Sequence, residues 1–275
     1  MPYKNLLILI IPVVMLSCKK EKEAITPSAP PTDTTRQVLL KDIVIPNLPS
    51  PYYHFEYDLT GRVNFVSFAS DLTRYHVLYN GGRVTEMQND ILVNKDRLQY
   101  FYDNEGKVFL IQYADSAGEA FARNLFTYDG QKLTKIERLH KEGTGFIIDR
   151  TLTMTYNADG NLQELTDHRP AVGGQSESTN VDRFEQYDNK INVDGFSLLH
   201  RDFFEHLFLL PGVKLQVNNP GKEILTGDGL NLKADFTYTY NDKNLPLTKA
   251  SVITVTNGTD SGHIFNSTTT YSYYQ

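Results

Sequence analysis

Apolar and polar residues alternate along most of this chain, and one phrase recurs where the alternating runs end. Its fullest form is Tyr100-Phe101-Tyr102-Asp103-Asn104-Glu105-Gly106-Lys107-Val108. It returns as Phe55-Glu56-Tyr57-Asp58-Leu59-Thr60-Gly61-Arg62-Val63 and as Met154-Thr155-Tyr156-Asn157-Ala158-Asp159-Gly160-Asn161-Leu162. Looser copies cover 77–84, 126–133 and 238–245, with a degenerate one at 186–190. Two positions before the tyrosine of every copy but the degenerate one stands an apolar or aromatic residue. Alternate residues share one face of a strand, so Phe55 and Tyr57 point one way and Glu56 the other. The Asp or Asn suits the first position of a type I turn, and the Gly three residues later suits the left-handed conformation that closes a bulged hairpin. Beyond the turn, apolar residues recur at an offset of three, as in Val63/Val66, Val108/Ile111 and Leu162/Leu165. That offset requires either a bulge after each turn or strands packed on both sides.

Strand–turn–strand units of this kind predict an all-β antiparallel meander. The repeat tyrosines at 57, 79, 102, 128, 156, 187 and 240 are unevenly spaced, which excludes a solenoid with a fixed period. A sheet of roughly a dozen or more strands curls or closes and so hides its edges. The expectation is a barrel-like sheet beginning near Leu39–Ile45. One departure is predicted near 197–210, where Leu199, Phe203 and Leu207 fall at helical spacing between Ser197 and Pro211-Gly212. This amphipathic helix either closes one end of the sheet or forms the lid or wall of a ligand pocket.

Composition changes the picture at the N-terminus. Lys4 precedes an apolar run over 6–16, then Ser17 and Cys18, the sole cysteine. The run is too short for a membrane span and reads as a signal peptide over 1–17. Cys18 matches the lipidated cysteine of a bacterial lipobox, with Met15 in a position where Leu is usual. Residues 18–36 are charged, then rich in Pro and Thr, and read as a flexible tether to a single β-domain at 37–275. The chain implies a membrane partner through the lipid on Cys18 and an outer-membrane address, periplasmic or surface-facing. With Cys18 lipidated, no internal disulfide can form. The net charge of −6 makes a nucleic-acid backbone a poor partner.

The late insert, Tyr187-Asp188-Asn189-Lys190 before it, Asn218-Asn219, Tyr238-Thr239-Tyr240-Asn241, Leu245-Pro246 and the closing Tyr271-Ser272-Tyr273-Tyr274 carry a resemblance. The chain resembles a group of uncharacterised Bacteroidota lipoproteins, a domain of unknown function with a porin-like β-fold. The hairpin phrase is also similar to the tyrosine–aspartate repeats of large bacterial shell proteins. The resemblance implies a fold and an address, and it transfers no functional residue.

Candidate chemistry is sparse. Phosphate loops, dinucleotide fingerprints, His-Glu-x-x-His and Gly-x-Ser-x-Gly are lacking, and no cofactor is implied. His200 and His206 would lie on opposite sides of one helix, which disfavours a shared metal. Asp103–Gly106 and Asn157–Gly160 superficially resemble calcium loops, but turn geometry accounts for both. Asp202 and Glu205 could serve acid–base chemistry only within a cleft. Seventeen Tyr and fifteen Phe without Trp could suggest glycan stacking, but tyrosines before turns are explained by packing. The reading is a non-enzymatic binding or interaction module with a protein or small-molecule partner. The alternatives are a barrel holding a lipid or glycan beneath a helical lid, a transmembrane barrel and, least favoured, a hydrolase. Outward faces rich in Thr, Asn and Glu oppose the transmembrane alternative.

Overall fold

The structure, a computed structural model, describes residues 38–90, 96–203 and 206–275, the side chains of 201–203 excepted. Its first eight strands are β1 (Leu40–Val44), β2 (Tyr53–Tyr57), β3 (Val63–Phe68), β4 (Thr73–Asn80), β5 (Arg83–Asn89), β6 (Arg97–Tyr102), β7 (Val108–Ala114) and β8 (Ala120–Asp129). Then follow β9 (Lys132–Glu142), β10 (Gly145–Tyr156), β11 (Leu162–Arg169) and β12 (Ser178–Glu185). After helix α1 (Gly195–Phe203) come β13 (Lys222–Gly227), β14 (Leu232–Tyr240), β15 (Pro246–Val255) and β16 (Ile264–Tyr273). Every strand pairs antiparallel with its sequence neighbours. β16 returns to β1 through Ile43↔Tyr271 and Val44↔Thr270, so the barrel is closed and has no free edge.

The offset of three is resolved as a bulge. Phe55 pairs with Val66 while Tyr57 pairs with Val63, so one extra residue enters the outgoing strand. The same slip precedes Tyr79, Tyr102, Tyr128, Tyr156 and Tyr240. Glycine is needed in these turns: Gly61, Gly106 and Gly160 have φ of 80°, 84° and 86°. Asp103 Oδ1 accepts the N–H groups of Glu105 and Lys107, both at 2.9 Å, so the resemblance to a calcium loop is a capped turn.

The repeat also joins each hairpin to the one before it. Tyr79 Oη donates to the Val63 carbonyl at 2.7 Å, Tyr102 to Val84 at 2.7 Å and Tyr128 to Val108 at 2.9 Å. Tyr156 donates to Leu133 at 2.7 Å and Tyr187 to Leu162 at 2.6 Å. Each acceptor is the first or second residue of a strand after a repeated turn. The basic residue just ahead of it lies over the next tyrosine ring: Arg62 over Tyr79, Arg83 over Tyr102, Lys107 over Tyr128 and Lys132 over Tyr156. Tyr57, on Leu40, and Tyr273, on Pro246, extend this ladder around the seam. Tyr240 departs from it and donates to Asp188, because a long connection replaces the tight turn between β12 and β13. The ladder marks the turn end of the barrel, where β1 also begins.

Inward positions are mostly apolar, including Tyr53, Val66, Met87, Leu98, Ile136, Leu152 and Leu165. The outward faces of three strands are polar: Thr151, Thr153 and Thr155 on β10, Glu164, Thr166 and His168 on β11, and Lys233, Asp235, Thr237 and Thr239 on β14. On other strands Leu78, Phe101, Phe109 and Val252 are apolar and exposed. Ion pairs bridge outward residues, as at Arg183–Glu164 (2.9 Å) and Lys233–Asp235 (2.8 Å). Over β10, β11 and β14 this polarity is the inverse of a lipid-facing barrel, whose outer band is apolar.

The connection between β12 and β13 enters the lumen as a plug. Leu199, Leu207, Phe208 and Leu215 are buried against the inward face. The helix is shorter than the run 197–210 predicts, and its start is set by Asn192 Oδ1 accepting Gly195 N–H at 2.8 Å rather than by Ser197. Beyond it the barrel takes over the backbone hydrogen bonds. Leu209 N–H donates to Tyr100 Oη at 3.0 Å, Leu215 carbonyl accepts Leu162 N–H at 2.8 Å, and Asn161 Oδ1 accepts Val217 and Asn218 N–H, both at 2.8 Å. The insert therefore packs inside the barrel, from the turn end to His200 against Tyr53 and Phe68.

Candidate binding cavity

Beside the plug, a hollow remains along β10 to β16 on the side away from the turns. On β10 to β16 the inward stripe changes from apolar to polar away from the turn end. In β10, Met154 and Leu152 are followed on the same face by Arg150. In β11, Leu162 and Leu165 are followed by Asp167, and in β12 Phe184 faces inward with Asp182. These residues enclose a cavity of about 440 Å3, within the range of small-molecule sites. Its rim holds the exposed Leu230 and Arg169.

One wall is a charge network. Arg150 grips Asp167 with both arms of its guanidinium, at 2.7 and 2.6 Å, and both side chains are almost fully buried. Arg169 Nε adds a contact to Asp167 at 3.3 Å. Burial lowers the Arg150 pKa, and hydrogen bonding to Asp167 opposes that shift. At the floor, Lys249 Nζ donates to Asp194 of the plug at 3.1 Å, and Tyr271 Oη donates to the same carboxylate at 2.6 Å. Burial, reinforced by the Asp194 charge, pushes the Tyr271 hydroxyl well above its ordinary pKa, so it stays a donor.

The facing wall carries hydroxyls. Ser251 and Ser267 are direct cross-strand partners on β15 and β16, and Thr269 pairs with Lys249. Between this wall and the charged one lie Leu225, Leu232, Ala234 and Phe236 of β13 and β14.

A smaller cavity of about 250 Å3 lies between β7 and β10, against His206. Arg138 forks onto Asp149 at 2.9 and 2.9 Å, and His140 Nδ1 is 3.2 Å from the same carboxylate. His206 Nδ1 is 2.9 Å from Tyr75 Oη and 3.2 Å from Asp96, whose other oxygen accepts Asn89 Nδ2 at 2.7 Å. His200 belongs to α1 and bonds Tyr53 Oη at 2.9 Å, so the two plug histidines are held by different strands. Among the described residues no group of three or more His, Cys, Asp or Glu is disposed to hold a metal. Cys18, Glu205 and the Asp202 side chain lie outside the described residues, so no acid–base role for that pair can be built.

The cavity residues Arg150, Asp167, Asp182, Ser251 and Thr269 escape motif reading because they belong to no motif. Their signal is phase: each is a polar residue in step with the apolar face of its strand.

No protein-family model matches the chain, and no curated protein does. Among solved structures, it is similar to a porin-like protein from Bacteroides uniformis at 13% identity, covering 86% of this chain and 95% of that one, with a TM-score of 0.57. Lower similarities are to TcdB2-TccC3 (15% identity, 74% of this chain, 12% of that one, TM-score 0.31) and to the Photorhabdus luminescens Tc holotoxin pore (15%, 74%, 12%, 0.32). At these identities the first likeness is one of fold: this chain shares the all-β barrel architecture of the porin-like protein.

Proposed function

We propose that this protein is a lipid-anchored barrel of the outer membrane that holds a small polar ligand in its lumen. The carrying observation is the cavity of about 440 Å3 in which charged and hydroxylic side chains converge beside a short apolar wall. A lipid is the wrong occupant, since acyl chains would leave these polar groups without partners. The polar outer wall supports a barrel standing in water and moored by its tether, and the lipobox-like Leu16-Ser17-Cys18 supports Cys18 as the acylation site.

The test is native mass spectrometry of the protein incubated with envelope extract. A discrete noncovalent adduct is expected, lost when Ser251→Phe fills the cavity. Bare protein from every extract overturns the ligand-holding reading. Acylation is tested separately: labelled fatty acid should enter the wild type and not Cys18→Ser.

A further inference from the structure

Resting on the reading that the lumen holds a ligand, we propose that the occupant is a neutral polyhydroxylated molecule, a saccharide in chemical class. The first observation is the hydroxyl wall. Ser251 and Thr269 are only 7% and 8% exposed, and both point inward with Ser267 between them across β15 and β16. None of the three hydroxyls bonds another side chain of the described residues, although each can donate one hydrogen bond and accept two. Three adjacent hydroxyls that open onto the hollow without a side-chain partner form an array that the hydroxyls of a ligand complete.

The second observation is the state of the charges. The lining holds three cations (Arg150, Arg169, Lys249) and three carboxylates (Asp167, Asp182, Glu223), with Asp194 beneath Lys249. Arg150 is committed to Asp167 in a two-armed, buried pair, and Lys249 to Asp194. With Asp194 counted, four carboxylates face three cations, so an anion meets cations that carboxylates already neutralise. A neutral ligand avoids that cost and can hydrogen-bond the outer edges of charged groups of both signs. The third observation is the strip formed by Leu225, Leu232 and Ala234, which suits the C–H face of a sugar ring.

The test uses the full-length chain in detergent against an array of neutral saccharides, uronic-acid saccharides, sugar phosphates and dipeptides. Neutral saccharides are expected to bind, and Ser251→Ala and Thr269→Val should each weaken them about tenfold, as expected for a lost hydrogen bond in a buried site. Thr269→Ser, which keeps the hydroxyl, should bind nearly as wild type, and unchanged melting temperatures exclude misfolding. Neutral saccharides that bind equally well to the two hydroxyl-free variants overturn the proposal. So does binding confined to charged probes and lost in Ser251→Phe, which leaves the ligand-holding reading standing. If no probe binds while extract still supplies an adduct, the saccharide class alone falls. If extract supplies none either, both fall.

Discussion

Each ladder tyrosine packs its ring, receives a cation on one face and ties its hydroxyl to the preceding hairpin. Tyr102→Phe keeps the ring and removes the bond to Val84, so it should cost about 1 kcal/mol in urea unfolding, the net worth of a partly buried hydrogen bond. Gly106→Ala places a side chain at φ 84° and should cost about 1 kcal/mol or more by the same measurement. Asp58 offers a pH probe. The Thr60 hydroxyl, at 2.6 Å, is the largest of the contacts that hold its carboxyl well below the usual range, with Arg62 adding to it. A depressed folded pKa adds stability above the unfolded value near 3.9, and that stability is lost as pH falls through the lowered one. NMR titration should therefore place Asp58 below the ordinary Asp value, and Thr60→Ala should move it upward.

The plug is the element whose role differs most from its sequence pattern. Helical spacing identifies α1, but the segment after it is held by barrel groups, Tyr100 and Asn161 among them, that satisfy its backbone as a helix would have done. Leu207 is fully buried, and Leu207→Ala should cost about 2–5 kcal/mol in thermal or urea unfolding. Leu59, wholly exposed at a hairpin tip, should change stability by less than about 0.5 kcal/mol when cut to Ala. The Arg150–Asp167 pair is a second test at this scale. Either Arg150→Met or Asp167→Leu alone strands a buried charge, at about 3–5 kcal/mol. The double variant should recover most of that loss, and a double-mutant cycle measures the coupling.

At the scale of the whole molecule, closure makes the barrel a continuous set of neighbour pairings around a lumen that the insert fills except beside β10 to β16. Burial raises the hydroxyl pKa of Tyr57, Tyr128, Tyr156, Tyr187 and Tyr273, among others. A tyrosine whose folded pKa exceeds its unfolded value near 10 contributes stability in full below that value. The contribution is lost as pH rises toward the folded pKa, because the unfolded chain then releases the proton first. Stability should therefore fall steeply above about pH 10, and tyrosinate absorbance should rise together with unfolding. The polar outward strands make a further prediction: the protein lacking residues 1–36 should stay soluble without detergent, which a lipid-facing barrel cannot do.

Local features were legible before the fold was known, because each is written within about ten residues. Tyr-Asp-x-x-Gly with a basic residue behind it determines a capped turn, a bulge and the direction of the next strand. Enough such hairpins in a row imply a sheet that must curl. Tertiary structure alone decided that the sheet closes by joining β1 to β16 and that the late insert turns inward. It also decided that Arg150, Asp167, Ser251 and Thr269 face one another across a hollow. Those outcomes depend on contacts such as Leu209 with Tyr100, 109 positions apart, whose geometry exists only once the barrel has formed. The chain encodes its hairpins one at a time, whereas its cavity belongs to the space that all of them enclose.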